Sequence, residues 1–236
     1  MKKLLFTLVF LFPVCFLSAQ KKKEIPKPVV RETIDEVTDS LIDIIDASYE
    51  LQVNYYDDGT KMSEGNYARI GFWKFYHPNG NLQMEGKYVN NKKDSVWVSY
   101  DIDGYKMTSG TFVNGVKNGL WTMYYPNGKK RYELTFVDGK IDGKVIGWYD
   151  TGTQYKEEFY ASGVKTGFWK SWYNTGQKKQ EGAYENNQKT GMWFTWHWNG
   201  KIETEGEYER DQKVGRWTKY DEEGEILERK TLGKAK

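Results

Sequence analysis

From residue 71 to residue 224 the chain repeats one arrangement of ring, glycine and polar positions every 24 residues, without insertion. One column reads Trp73, Trp97, Trp121, Val145, Trp169, Trp193 and Trp217. Three residues on stands a second ring: Tyr76, Tyr100, Tyr124, Trp148, Trp172, Trp196 and Tyr220. A third column is glycine throughout, from Gly80 and Gly104 to Gly224, and a fourth is aromatic again, from Tyr88 and Phe112 to Tyr208. Two residues before each member of the first column sits a further glycine, such as Gly71 or Gly119, with Ser95 the exception. Between these markers Leu82, Met84, Gly86 and Tyr88 alternate with polar residues, which is the period of a strand. Asn-Gly pairs such as Asn79-Gly80 and Asn127-Gly128 predict hairpin turns with both residues at positive φ. A second loop carries Asn90-Asn91, Asn114-Gly115 or Asn186-Asn187.

Each unit therefore reads strand, turn, strand, loop. The predicted fold is all-β: an elongated antiparallel β-hairpin repeat array, a solenoid-like sheet over residues 52–230, with seven full units and a partial first unit at 54–67. Seven hairpins, or fourteen strands, would span roughly 67 Å at about 4.8 Å per strand. Two ring columns three residues apart fall on opposite faces of a regular strand, so either both faces carry rings or a bulge re-aims one column. The Trp column is expected to be structural, each ring packing where the glycine two residues earlier lets a neighbour approach.

The chain before the repeats changes character three times. Residues 1–19 join Lys2 and Lys3 to an apolar run and end on Ser18 and Ala19, a pattern read as a signal peptide cleaved after Ala19. Residues 20–30 are rich in Lys and Pro and read as a linker. Over 31–51, Ile34, Val37, Leu41, Ile44 and Ile45 recur at helical spacing behind a capping box, predicting a short N-terminal amphipathic helix that caps the array. Residues 231–236 form a tail.

Composition narrows the function. Rings make up 17% of the chain, which excludes wholesale disorder. Thirty-five basic residues face thirty-three acidic ones, and removal of Lys2 and Lys3 with the leader leaves 33 against 33, so no nucleic-acid partner is expected. Cys15, the one cysteine, lies in the leader, so the mature chain has no thiol chemistry. Asp150-Thr151-Gly152-Thr153 matches an aspartic-protease signature but falls on the turn phase. His77 and His197 lie five periods apart beside the turn and read as surface turn residues unable to share a metal.

The unit Gly-x-Trp-x-x-Tyr-x-x-x-Gly, followed by Gly-x-Tyr, resembles the MORN repeat, and more closely the bacterial variant in proteins labelled YwqK-family antitoxins. Gly167, Trp169, Trp172, Gly176, Gly182 and Tyr184 form a clean copy, and the likeness covers about residues 55–228. It implies a twisted antiparallel repeat array without enzymatic activity of its own, mediating protein or membrane contacts. The fourth unit departs from the pattern: Val145 replaces Trp, and Leu134 and Glu158 replace Gly, so a local irregularity is expected there.

Two charged columns complete the reading. Lys93, Lys117, Lys165, Lys189 and Lys213 share one phase in the inter-hairpin loop and form a candidate binding surface for anionic lipid or polysaccharide. Glu64, Glu85, Glu133, Glu157, Glu181 and Glu205 share another in the second strand. The competing reading is that both rows are solvated and guard the sheet against lateral pairing. The expectation is an exported, non-catalytic scaffold of the bacterial envelope, periplasmic or extracellular, with a protein partner. Membrane or glycan binding and antitoxin-like inhibition of a protein are the alternatives. No cofactor, catalytic residue, metal or small-molecule substrate is expected.

Overall fold

The computed structural model describes residues 51–66 and 69–234. The leader and linker, and all of the predicted helix except Leu51, lie outside them. Leu51 itself opens the first strand. β1 (Leu51–Tyr55) pairs with β2 (Lys61–Asn66), β3 (Gly71–Tyr76) with β4 (Leu82–Val89), and β5 (Lys92–Tyr100) with β6 (Lys106–Val113). The series continues through β7 (Val116–Tyr124), β8 (Lys130–Val137), β9 (Lys140–Trp148), β10 (Gln154–Ala161), β11 (Val164–Trp172) and β12 (Lys178–Glu185). It ends with β13 (Gln188–Trp196), β14 (Ile202–Glu209), β15 (Gln212–Tyr220) and β16 (Ile226–Leu232). All sixteen strands lie in one open antiparallel sheet in chain order. The partial first unit supplies the hairpin beyond the predicted seven.

The turn that closes each unit's hairpin departs from the expectation. At the Asn-Gly turns only the glycine has positive φ, as at Gly80 with φ 84. The Gly80 amide donates to the His77 carbonyl at 2.8 Å, so a tight turn is followed by one left-handed residue. Asn79 stays out of that region and uses its amide side chain, accepting from the Asn81 amide at 3.1 Å and donating to the Ile102 carbonyl of the next unit at 2.7 Å. Both residues take positive φ in the second loop instead, as at Asn90 (φ 48) and Asn91 (φ 61), a two-residue turn of the mirror-image type.

The ring-column question resolves through register. Trp73 pairs with Gly86 and Phe75 with Met84, and then Tyr76 pairs with Leu82, leaving Gln83 as an extra residue. The bulge lies beyond the Trp, so Trp73 and Phe75 share one face and Tyr76 emerges on the other. Both faces carry rings.

A second bulge precedes Trp97, Trp121, Val145, Trp169, Trp193 and Trp217. Thr111 pairs with Asn118 but Gly110 with Trp121, so Gly119 and Leu120 are extra. Gly119 has φ 70 there. The glycine two residues before Trp is thus required by backbone handedness, which corrects the close-approach reading. Ser95 holds the same position at φ 59, where a side chain costs about 1–2 kcal/mol. Ser95→Gly is expected to stabilise the sheet by about 1 kcal/mol, offset in part by glycine's greater unfolded entropy. Urea denaturation of the two chains measures it.

Candidate functional site

The close approaches belong to a different glycine column. A Cβ added to Gly86 would lie 2.3 Å from the Trp97 ring, on Gly110 2.1 Å from Trp121, on Gly182 2.2 Å from Trp193, and on Gly206 2.2 Å from Trp217. Each indole lies flat on the bare backbone of the strand before it. Its N–H donates to the carbonyl ten residues earlier: Trp97 to Lys87 at 3.0 Å, Trp121 to Thr111 at 3.0 Å, Trp193 to Ala183 at 3.2 Å. The fourth aromatic column fills the gaps edge-on. Tyr88 meets Trp97 at 5.0 Å, Phe112 meets Trp121 at 5.1 Å, and Tyr208 meets Trp217 at 5.1 Å. Trp73, Trp97, Trp121 and Trp193 are buried, while Trp169 and Trp217 are half-buried. The Trp73 indole N–H is, among the described residues, the buried side-chain donor without a partner. The connection from Gly65 to Trp73 is three residues shorter than that from Gly86 to Trp97.

The fourth unit is irregular as its sequence suggests. Leu134 stands where glycine is usual and packs in one buried cluster with Val145 and Trp121, so the pair exchanges Gly and Trp for two aliphatic side chains. Glu158 takes the next glycine position and is buried. Its carboxylate accepts from Lys156 at 2.9 Å, Lys165 at 2.9 Å and the Trp169 indole at 3.1 Å. Burial pushes this carboxyl up, but the bonds and charges of Lys165 and Lys156 outweigh it and hold it below its ordinary value. A folded value below the unfolded one gives stability that is complete above the unfolded value of 4.5 and is lost as pH falls through the folded one. The wild-type chain is therefore expected to lose stability below that value more steeply than Glu158→Gln. Urea midpoints across an acid series test this, and parallel curves would contradict it.

The lysine column stands on this ring face and in strands, not in the loop. Lys93 pairs across the sheet with Tyr88, Lys117 with Phe112, Lys165 with Tyr160, Lys189 with Tyr184 and Lys213 with Tyr208. The ammonium lies 4.2 Å from the Trp97 ring for Lys93, 4.3 Å from Trp121 for Lys117, 4.2 Å from Trp193 for Lys189 and 4.0 Å from Trp217 for Lys213. Lys165 differs: its bond to Glu158 accompanies a contact of 4.7 Å to Tyr184. Arg69 completes the row. It sits one period before Lys93, with its guanidinium 5.8 Å from Trp73 and 5.7 Å from Tyr88. The 24-residue phase contains it; a search for lysine alone passes over it.

The opposite face carries the glutamate column, tied into the fold. The Tyr100 hydroxyl donates to Glu85 at 3.1 Å and that of Tyr220 to Glu205 at 2.7 Å. Lys61 and Lys178 pair with Glu64 and Glu181 at 2.9 Å each. Burial, with the Glu64 hydrogen bond added, raises the Tyr76 phenol to about 12.

The same face shows a ridge that the column analysis missed. The residue before each Trp points away from the ring face, and five of the seven positions are exposed apolar side chains: Phe72 (75%), Val96 (55%), Leu120 (54%), Phe168 (69%) and Met192 (49%). Lys144 and Arg216 occupy the other two. The signal was available, because the positions share one lattice phase, but their residue types vary.

His77 and His197 serve the turns. Their Nε2 atoms meet the Tyr100 and Tyr220 carbonyls of the next unit at 3.2 and 3.0 Å, the role played by the Tyr125 hydroxyl toward Trp148 at 2.8 Å. Asp150–Thr153 is a turn of the common kind, with Gly152 donating to the Tyr149 carbonyl at 2.9 Å. Among the described residues no three His, Cys, Asp or Glu side chains gather as a metal site.

No curated protein matches the chain. A family profile described as "MORN repeat variant" matches residues 71–90 and 117–138. The first match covers the β3–β4 hairpin and its ring face, the second most of β7 and all of β8. Two units match directly and the others follow the same 24-residue lattice in one sheet, so this chain is a MORN-repeat protein.

Proposed function

We propose that the chain is an exported scaffold of the bacterial envelope that binds a protein partner along the face bearing Phe72, Val96, Leu120, Phe168 and Met192. The MORN-repeat architecture is that of a protein- or membrane-binding module, typically non-catalytic. The observation that favours this face is the exposure of five apolar side chains at one repeat phase, on β3, β5, β7, β11 and β13, with Lys144 in the β9 position between them. Such rows are rare on a surface that contacts only water, and apolar and aromatic anchors dominate protein interfaces. The ring face is filled by its own packing and leaves its indoles little to offer.

Phe168→Ser tests the reading. It removes an anchor from an exposed position, so the melting temperature should hold while saturable capture of the partner by the immobilised mature chain is lost. Retained capture would overturn the assignment of this face. Export is tested separately by the mass of the purified mature chain. Loss of residues 1–19 is the expected result, and an intact Met1 would contradict it.

A further inference from the structure

On the ring face five cations share one phase: Arg69 just before β3, Lys93 and Lys117 two strands apart on β5 and β7, and Lys189 and Lys213 two strands apart on β13 and β15, with about 10 Å between the members of each lysine pair. Among the described residues none of the five pairs with a carboxylate, whereas Lys165 is neutralised by Glu158. The four lysines stand on paired strands with their ammonium groups held over the rings beneath, so little side-chain freedom is left to lose on meeting a ligand. They also press on one another. Burial lowers the proton affinity of Lys93 and the Lys117 charge lowers it further. At Lys189 burial again acts first, and Lys213 and Lys165 add to it against the opposing Asp211. An anion laid along the row relieves that repulsion.

We propose that this row is a track for a linear acidic polysaccharide carrying one anionic group per disaccharide. The choice rests on spacing and on what the face lacks. A nucleic-acid strand places a phosphate every 3.4 Å or so, about three times too densely to match cations two strands apart. A bilayer is best met by protruding apolar side chains, but the indoles under Lys93, Lys117 and Lys189 are buried and that under Lys213 is half-buried, and the exposed apolar row lies on the other face. An extended disaccharide has a length on the scale of two strands, so successive uronates fall on successive cations. Ile141 and the Lys165–Glu158 pair interrupt the track, leaving a run of three, Arg69, Lys93 and Lys117, ahead of the pair Lys189 and Lys213. The slot of about 210 Å³ between Lys93 and Lys117, floored by Trp97 and Trp121, lies within the longer run.

Hyaluronan, with one uronate per disaccharide, is the probe. Its binding to the full mature chain is followed by calorimetry at rising salt, with anionic phosphatidylglycerol vesicles as competitor. The wild type should bind, with affinity falling as salt rises. The double variant Lys93→Met, Lys117→Met keeps the aliphatic stems over the rings and should lose about tenfold or more in affinity. Lys93→Arg with Lys117→Arg should retain binding, which separates charge from fold should the Met variant melt early. Lys87→Met, on the opposite face, and Phe168→Ser should leave hyaluronan binding unchanged, so this test fails independently of the protein-partner reading. No hyaluronan binding at low salt, equal binding by the Met double variant, or chain captured by vesicles that hyaluronan does not displace would each overturn the proposal.

Discussion

Gly110→Ala is expected to destabilise the sheet by about 3 kcal/mol or more, at or beyond the upper end of ordinary overpacking. The added Cβ would stand 2.1 Å from the Trp121 ring, well inside van der Waals contact. The ring has no easy retreat. Its N–H is held by the Thr111 carbonyl, Phe112 and Phe136 meet it edge-on at 5.1 and 6.0 Å, and only 4% of the residue is exposed. Relief requires either strand separation at the Gly110–Trp121 pair or expulsion of the indole. The chain itself contains the compensated version: Leu134 occupies the glycine position where Val145 replaces Trp. Trp121→Val in the Gly110→Ala background should therefore cost less than the sum of the two single changes. A double-mutant cycle by urea denaturation reads this coupling directly. Additive costs would show that glycine and indole do not interlock.

Trp193→Ala should cost about 3–5 kcal/mol, the range for deletion of a large buried ring. Trp193 is 2% exposed and is shared among three neighbours: Trp169 stacks on it at 5.6 Å, while Tyr184 and Tyr208 meet it edge-on at 5.2 and 5.8 Å. Its removal also takes the seat from under Lys189. In a linear array each unit leans on its immediate neighbours, so the loss should loosen hairpins on both sides. Trp217→Ala should cost less, because that ring is half-buried and only one further strand, β16, follows it. Hydrogen exchange should show lost protection across β11 to β14 in the first variant and near the C-terminal edge in the second.

The lattice made the hairpins legible because turn residues and a two-residue side-chain period fix where strands begin and end. The β1–β2 hairpin was visible too, as the partial first unit at 54–67. Face assignment was not legible. A bulge present in every unit leaves the 24-residue period intact, so column spacing alone cannot reveal that Gln83, or Gly119 with Leu120, stands outside the register. Two glycine columns consequently exchanged meanings. The one beside Trp in sequence serves handedness, and the one across the strand, Gly86 to Gly206, makes room for the ring. Turn chemistry misled for a similar reason. Asn-Gly suits either two residues at positive φ or a tight turn closed by one, and the Asn79 side chain, bonded to the next unit, belongs to the second. The candidate lysines were found by phase, yet their setting over indoles depends on register. Arg69 and the Phe72 to Met192 ridge needed the same phase to be followed across changes of residue type.

The indoles of one face hold the sheet together, and the ridge on the opposite face is the proposed seat of a protein partner. The measurement that tests this most directly sets Phe168→Ser beside Trp193→Ala and records, for each, the urea midpoint and the capture of the partner. Phe168→Ser should keep the wild-type midpoint and lose capture. Trp193→Ala should lose several kcal/mol of stability and, under conditions where it remains folded, keep capture. A ridge variant that unfolds early while still binding, or an indole variant that is fully stable but no longer binds, would contradict the division of the two faces.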